Sequence, residues 1–322
     1  MYYIGIDLGG TRIKLGLVLA GTVVARRVFS ANVKGGLEAS LRVVQAEIDG
    51  LLREHGVGRA EPGGKGSGRA ELGGIGLAFP GLVDPVASRV LSTNKQFADA
   101  LTVDLPSWVR EHWGVAFFMD NDARMATVGE WKYGAGRGTD DLVVMTIGTG
   151  IGTSVVMEGR LLRGRHFQAG CLGGHLSVRY DGRPCNCGNI GCLEAYGATW
   201  SLAERVREAP DFSQSVLSSA PVIDFEVLFA AADGGDELAK RMEINCLDVW
   251  AAGIVNMIHA YDPSVVVLGG GVMKRADRIL TNVAEKVHRH AWCPWGKVEI
   301  RGTKLHGDAG ILGVVHCLQY HL

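Results

Sequence analysis

No stretch of about 18 uninterrupted apolar residues occurs in the 322-residue chain, so no transmembrane helix is expected. The opening segment, MYYIGIDLGGTRIKLGLVLAG, has no basic stretch ahead of a long apolar run. It reads as strands rather than as an export leader, which predicts a cytoplasmic protein. Neither sign of charge is in excess: 33 Lys and Arg face 34 Asp and Glu, a net charge of -1. That balance lacks the broad electrostatic footprint of a nucleic-acid or anionic-membrane binder, so neither partner is expected. A three-residue glycine repeat is missing, which excludes collagen. The hydrophobic share of 47% excludes a disordered chain. A Walker A ending, Gly-Lys-Ser/Thr after a glycine loop, is absent too. What the chain does have is glycine, 46 of 322 residues and about twice the usual share. Its length predicts about two domains with a sizeable core.

Strand-like and helix-like patterns alternate. Residues 3–8 and 13–19 are short, apolar and β-rich, joined by Gly9-Gly10-Thr11, which predicts a hairpin. Leu37, Leu41, Val44, Ile48 and Leu51 recur at helical spacing within 37–54. Residues 56–74 carry eight glycines, which predicts a flexible surface loop. Further strands are expected at 75–79, 142–147 and 264–268. Helices are expected at 123–132, 237–261 and 308–318. A second hairpin over 142–157 turns on Gly148-Thr149-Gly150. The order favours an α/β fold with two mixed sheets.

Three glycine turns follow strands. At Asp7-Leu8-Gly9-Gly10-Thr11 the backbone could meet a phosphate closely, with a hydroxyl from Thr11 and Mg²⁺ held by Asp7 through water. A plain hairpin turn is the competing reading. Gly148-Thr149-Gly150-Ile151-Gly152 superficially resembles a dinucleotide fingerprint, but strand-like residues follow where a helix is required. It is therefore a second strand–turn–strand loop. Gly269-Gly270-Gly271 leaves room for a flat ring against backbone. Asp120-Asn121-Asp122 ends an apolar segment and opens a helix. It is either a helix cap or the seat of a carboxylate, Asp122, that accepts a proton from a substrate hydroxyl, with Asn121 bonding a polyol. The helix dipole is expected to keep Asp122 ionised. His175, Cys185, Cys187 and Cys192 supply one imidazole and three thiolates. That set closes a tetrahedral site and predicts structural Zn²⁺. Cys171, Cys246, Cys293 and Cys317 read as ordinary core or surface residues.

Taken together and in order, these segments resemble the ROK family of sugar kinases, repressors and related proteins. The matching stretches are 7–17, 76–85, 120–131, 146–156, 173–175, 185–194 and 262–272, and they span nearly the whole chain. The resemblance implies an actin-like ATPase (ribonuclease H-like) fold with two lobes, each a mixed sheet flanked by helices, and a cleft between them. It implies a small lobe of residues 1–119 plus about 305–322, and a large lobe of 120–304 with a zinc loop near 175–194. The implied activity is ATP-dependent phosphorylation of a hexose or N-acetylhexosamine, at O6. Asp122 would be the general base, with Asn121, His175 and Glu194 on the sugar. Asp7, Gly9, Gly10 and Thr11 would serve Mg²⁺ and phosphate, Gly148, Thr149 and Gly150 the phosphates, and Gly270 and Gly271 the adenosine. Asn94 falls where relatives often carry a sugar-side asparagine. The partners implied are a small-molecule sugar and a nucleotide, and family members are often homodimers. One departure stands out. The family usually carries a glutamate three residues before the histidine, where this chain has Leu172 by count, or Cys171 if one residue is inserted, and neither replaces a carboxylate as a hydrogen-bond acceptor. A catalytically inactive sugar-binding protein is the alternative. A repressor is disfavoured, because its helix-turn-helix would have to precede Asp7.

Overall fold

The computed structural model describes residues 1–32, 35–59, 70–93 and 97–321. Asn94 and the middle of the expected 56–74 loop lie outside the described residues. The chain divides into two compact units. Unit 1 comprises Met1–Gly138, Arg163–Ala169 and Lys304–Leu322; unit 2 comprises Thr139–Leu162 and Gly170–Thr303. The sequence places the start of the second lobe at residue 120. In the structure the helix that begins there packs on the C-terminal helix and belongs to unit 1.

Unit 1 contains β1 (Tyr2–Leu8), β2 (Arg12–Leu19), β3 (Thr22–Ser30), α1 (Gly36–Glu54), β4 (Val57–Arg59) and β5 (Ala70–Phe79). It continues with β6 (Gly81–Asp84), β7 (Arg89–Thr93), α2 (Leu105–His112), β8 (Ala116–Asn121) and α3 (Asp122–Tyr133). Its main sheet runs β3-β2-β1-β5-β4, with β8 also paired to β5. The first three strands are antiparallel, and β1, β5 and β8 are parallel. The predicted hairpin forms, closed by the Gly9 N–H on the Arg12 carbonyl at 3.0 Å. The predicted apolar stripe of α1 is buried. The N-cap of α1 is Gly35, which has no side chain to offer, so the Asp99 carboxylate accepts from the Leu37 and Glu38 N–H groups instead.

The expected loop at 56–74 is corrected at both ends, because Val57–Arg59 and Ala70–Gly74 are strand. Glycine there serves packing rather than flexibility. A Cβ on Gly74 would lie 2.8 Å from Leu318 and 2.9 Å from the Ala116 carbonyl.

The chain returns to unit 1 through α9 (Ala309–Tyr320), whose residues are buried on nearly every side. Gly5, Gly16 and Gly76 leave the sheet surface flat beneath it; a Cβ at any of them would meet Ile311 or Val314 at 2.6–2.8 Å. Helix α9 also crosses α3 at backbone contact. A Cβ on Gly313 would sit 1.7 Å from the Met125 carbonyl oxygen, and one on Gly129 2.1 Å from that of Ala309. Near the far end of α3, buried Glu130 accepts N–H bonds from Ala135 (2.8 Å), Lys304 (3.2 Å) and Leu305 (3.0 Å). That carboxylate fixes the point at which the chain re-enters the unit.

Unit 2 contains β9 (Leu142–Ile147), β10 (Ile151–Met157), β11 (Arg160–Leu161), α4 (Leu193–Gly197), α5 (Thr199–Arg207) and α6 (Phe225–Asp233). It continues with α7 (Glu237–Tyr261), β12 (Val265–Gly269), α8 (Ala276–His290) and β13 (Glu299–Gly302). The sheet runs β11-β10-β9-β12-β13, with an antiparallel hairpin at one side and parallel pairs at the other. The long predicted helix is α7. It buries Trp250, whose indole N–H reaches the Gly197 carbonyl at 2.9 Å. Among the described residues, no helix is long and apolar enough to cross a membrane.

Candidate active site

In unit 1 the register of the parallel strands decides which side chains meet. Asp7 pairs with Ala78, and Phe79 with Asn121, so the carboxyl ends of β1, β5 and β8 share one edge. Such edges are where open α/β sheets hold ligands. They bring together Asp7, the Gly9-Gly10-Thr11 turn, Asn121 and Asp122. The hairpin also pairs Asp7 with Lys14 across the strands, and the two form an ion pair of 2.7 Å. Lys14 went unassigned in the sequence, although a tight turn at Gly9-Gly10-Thr11 places it opposite Asp7.

Asn121 is the N-cap of α3, accepting from the Arg124 N–H at 3.2 Å. Its amide nitrogen donates to the Gly81 carbonyl and to Asp122 Oδ1, each at 3.0 Å. The capping reading thus holds for Asn121, which in the same geometry orients Asp122. Asp122 is the first residue of the helix, and its Oδ1 also accepts from the Ala123 N–H at 2.8 Å. The residue keeps some exposed surface, but protein crowds its carboxylate. That burial, with the Asp7 charge second, pushes its pKa up to about 7 against the opposing hydrogen bonds. The expectation that Asp122 is held ionised is therefore modified: desolvation outweighs the hydrogen bonds at the head of the helix, and near pH 7 the carboxylate is only partly ionised. A base poised near 7 suits proton transfer at neutral pH.

Behind it, fully buried Asp120 receives Arg124 at 3.2 Å and Arg163 at 2.9 Å. Arg124 also donates to the carbonyls of Phe167 (2.7 Å) and Ala169 (3.2 Å), tying residues 163–169 to the head of α3. The i,i+4 spacing of Asp120 and Arg124 was a readable signal; Arg163 gave none.

In unit 2 the parallel pairing of β9 with β12 sets Thr146 beside Gly269. The turns after these strands, 148–150 and 270–271, therefore lie together. Gly270 has φ +95°, and a Cβ there would be 2.1 Å from the Ile147 carbonyl oxygen, so glycine is obligatory. Around Gly148 and Gly271 a Cβ would meet nothing within 4 Å. The carbonyls of Gly148 and Thr149 accept from the Thr199 and Trp200 N–H groups, seating α5 against the turn. Glu194, on α4, accepts from the Ile151 N–H at 2.8 Å and the Trp200 indole at 3.2 Å. It joins the cysteine loop to the 148–150 turn, a role the sequence did not show.

His175, Cys185, Cys187 and Cys192 converge, their ligating atoms all within 4.8 Å of one another. Cys187 and Cys192 sulfurs are 3.7 Å apart, and Cys185 sulfur is 3.6 Å from His175 Nδ1. The edge of a tetrahedron with 2.3 Å metal–sulfur bonds is about 3.8 Å, so the cage fits one such ion. Burial pushes the Cys192 thiol up to about 12 and raises Cys185 as well. A cation would reverse both shifts. Glutamate is missing from the stretch before His175: Leu172 is partly exposed, and Thr153 Oγ1 accepts from the Gly173 N–H at 2.8 Å while donating to the Gly170 carbonyl at 2.8 Å.

Comparison with known proteins follows the same lines. Residues 65–320 match the ROK family. A glucokinase of Thermotoga maritima is 32% identical over 98% of this chain and 96% of its own. A xylose repressor of Bacillus subtilis is 27% identical over 75% of this chain and 59% of its own. The crystal structure of a ROK family glucokinase from Streptomyces griseus, in complex with glucose and AMPPNP, superposes with a TM-score of 0.80 at 26% identity, covering 98% of both chains.

Proposed function

The chain belongs to the ROK family, and on that premise we propose that it is an ATP-dependent sugar kinase acting on a hexose or N-acetylhexosamine, at O6. The observation that carries the reading is Asp122: a carboxylate at the head of α3, oriented by Asn121 and poised near neutrality. In this reading Asp122 accepts the proton of the sugar hydroxyl as that oxygen attacks the γ-phosphorus. Phosphoryl transfer asks little more of the protein than positioning and charge stabilisation. Asn121 holds the base in place. His175 and Glu194 meet the sugar. Lys14 and the glycine turns at 9–11 and 148–150 face the phosphates, and Gly270 with Gly271 the adenosine. Asp7 would hold nucleotide-bound Mg²⁺, which supplies neutralisation of phosphate charge.

Leu172 or, with one inserted residue, Cys171 stands where relatives carry a sugar-binding glutamate, so in either case one carboxylate acceptor is lost to the sugar. A coupled assay of ADP release with glucose, mannose, N-acetylglucosamine and N-acetylmannosamine tests the reading. Turnover is expected with at least one of them. Silence with every sugar, under ATP and Mg²⁺, refutes it in favour of a sugar-binding protein without activity.

The four-ligand cage is proposed to hold a structural Zn²⁺, since four protein ligands leave no open position for water. Elemental analysis is expected to find one zinc per chain. Cys192→Ser should lose the metal and lower the melting temperature by several degrees, because the ion organises an otherwise irregular loop. A metal-free protein of undiminished stability would remove the assignment.

A further inference from the structure

A cavity of about 670 Å³ opens within unit 2, against α5, α7 and the loop that carries the cysteine cage. None of its lining residues is among those assigned above to sugar, nucleotide or metal. Its charged lining is four arginines, Arg179, Arg183, Arg205 and Arg241, against two acids, Glu208 and Asp248. Met242, Val249 and Pro210 give it apolar wall.

Three of the arginines have carboxylate partners. Arg183 meets Glu204 at 2.7 Å and also Glu208; Arg241 meets Asp211 at 2.6 Å; Arg179 lies 3.5 Å from Asp181. Arg205 is different. It is 7% exposed, and its guanidinium donates to the Tyr196 carbonyl and to Asn245 Oδ1, with Cys246 Sγ at 3.6 Å. The Tyr196 ring lies 5.9 Å from the guanidinium carbon. Every one of these partners is neutral. Among the described residues no carboxylate oxygen lies within 4.0 Å of Arg205, and Glu208 feels it only as the weakest of its neighbours' effects. Arginine cannot shed its charge by deprotonation. A buried cation whose direct partners are all neutral has its desolvation cost offset only weakly, by a carboxylate beyond contact distance.

We propose that this cavity is a second small-molecule site, taking an organic oxyanion with Arg205 as counter-charge, Arg179 and Arg241 at its rim, and the apolar wall against the ligand's scaffold. A planar guanidinium suits phosphate and carboxylate alike. The volume lies in the usual range for small-ligand pockets. The proposal is read by binding rather than turnover, so it stands or falls apart from the kinase reading.

Isothermal titration of the full chain with glucose 6-phosphate and with citrate tests it, repeated on Arg205→Met and Arg241→Glu. At least one probe is expected to saturate with a Kd below about 1 mM. Both variants should weaken that binding by roughly tenfold or more, as removal of a paired charge does. Tighter binding of glucose 6-phosphate assigns a phosphate ligand, and tighter binding of citrate a carboxylate. Arg205 is buried, so if its variant fails to fold, Arg241→Glu, at an exposed side chain, decides alone. The proposal is overturned if neither probe saturates, or if Arg241→Glu leaves every affinity unchanged. The second outcome would place the bound sugar phosphate at the kinase site instead.

Discussion

Asp122→Asn is expected to lower kcat by about 10²- to 10⁴-fold while sugar affinity stays within about threefold, the range removed with a general base. Asparagine keeps the shape and the Ala123 N–H contact but cannot take up a proton. The native kcat/KM profile should rise through an apparent pKa near 7 as Asp122 ionises, and the variant should lose that limb. Thermal melting separates this from misfolding. A carboxylate whose native pKa is raised favours the folded state below the ordinary carboxylate range, and loses that contribution as pH rises through about 7. Its replacement by a neutral amide is therefore expected to keep or raise the melting temperature at pH 8. Near-native turnover in Asp122→Asn would exclude it as the base.

Gly313→Ala is expected to destabilise unit 1 by at least about 3 kcal/mol, although it adds one methyl group to a helix that alanine otherwise favours. The reason is the 1.7 Å separation between the added carbon and the Met125 carbonyl, a backbone group that no rotamer change can move aside. For a unit of this size, about half the chain, that is roughly a 10 °C fall in its melting temperature. Gly50→Ala in α1 is the control, because nothing lies within 4 Å of its added carbon. It should gain about 0.5–1 kcal/mol from helix propensity. Equal melting temperatures for the two variants would show that α3 and α9 do not cross as described.

What could be read from the sequence was what repeats locally. The strand–turn–strand segments at 2–19 and 142–157, the apolar stripe of α1 and the length of α7 all follow from side-chain periodicity. The cysteine cage was legible because three of its ligands lie within eight residues and their chemistry is narrow. What escaped depends on distant partners. Arg163 reaches Asp120 across 43 residues, and Glu130 reaches Lys304 across 174. The ionisation state of Asp122 is not legible in the sequence, because a dipole is visible in a helix-capping motif, whereas burial is visible only after folding. The packing role of glycine at 70–74 is hidden in the sequence for a related reason. Composition reports that side chains are missing, but only a neighbouring helix shows that their absence is what lets it settle.

Helix α9 also bears on how the protein is made. Its flat seat on Gly5, Gly16 and Gly76 is translated near the start of the chain, whereas α9 itself follows almost all of unit 2. At 5–20 residues per second, a ribosome needs on the order of ten seconds to travel from the end of α3 to α9. Throughout that interval the nascent first unit carries an uncovered apolar sheet face. Unit 2 can complete its own core earlier, although its synthesis begins later. The order of synthesis and the order of completion are thus reversed, and the first half of the chain is the half that depends longest on protection from aggregation.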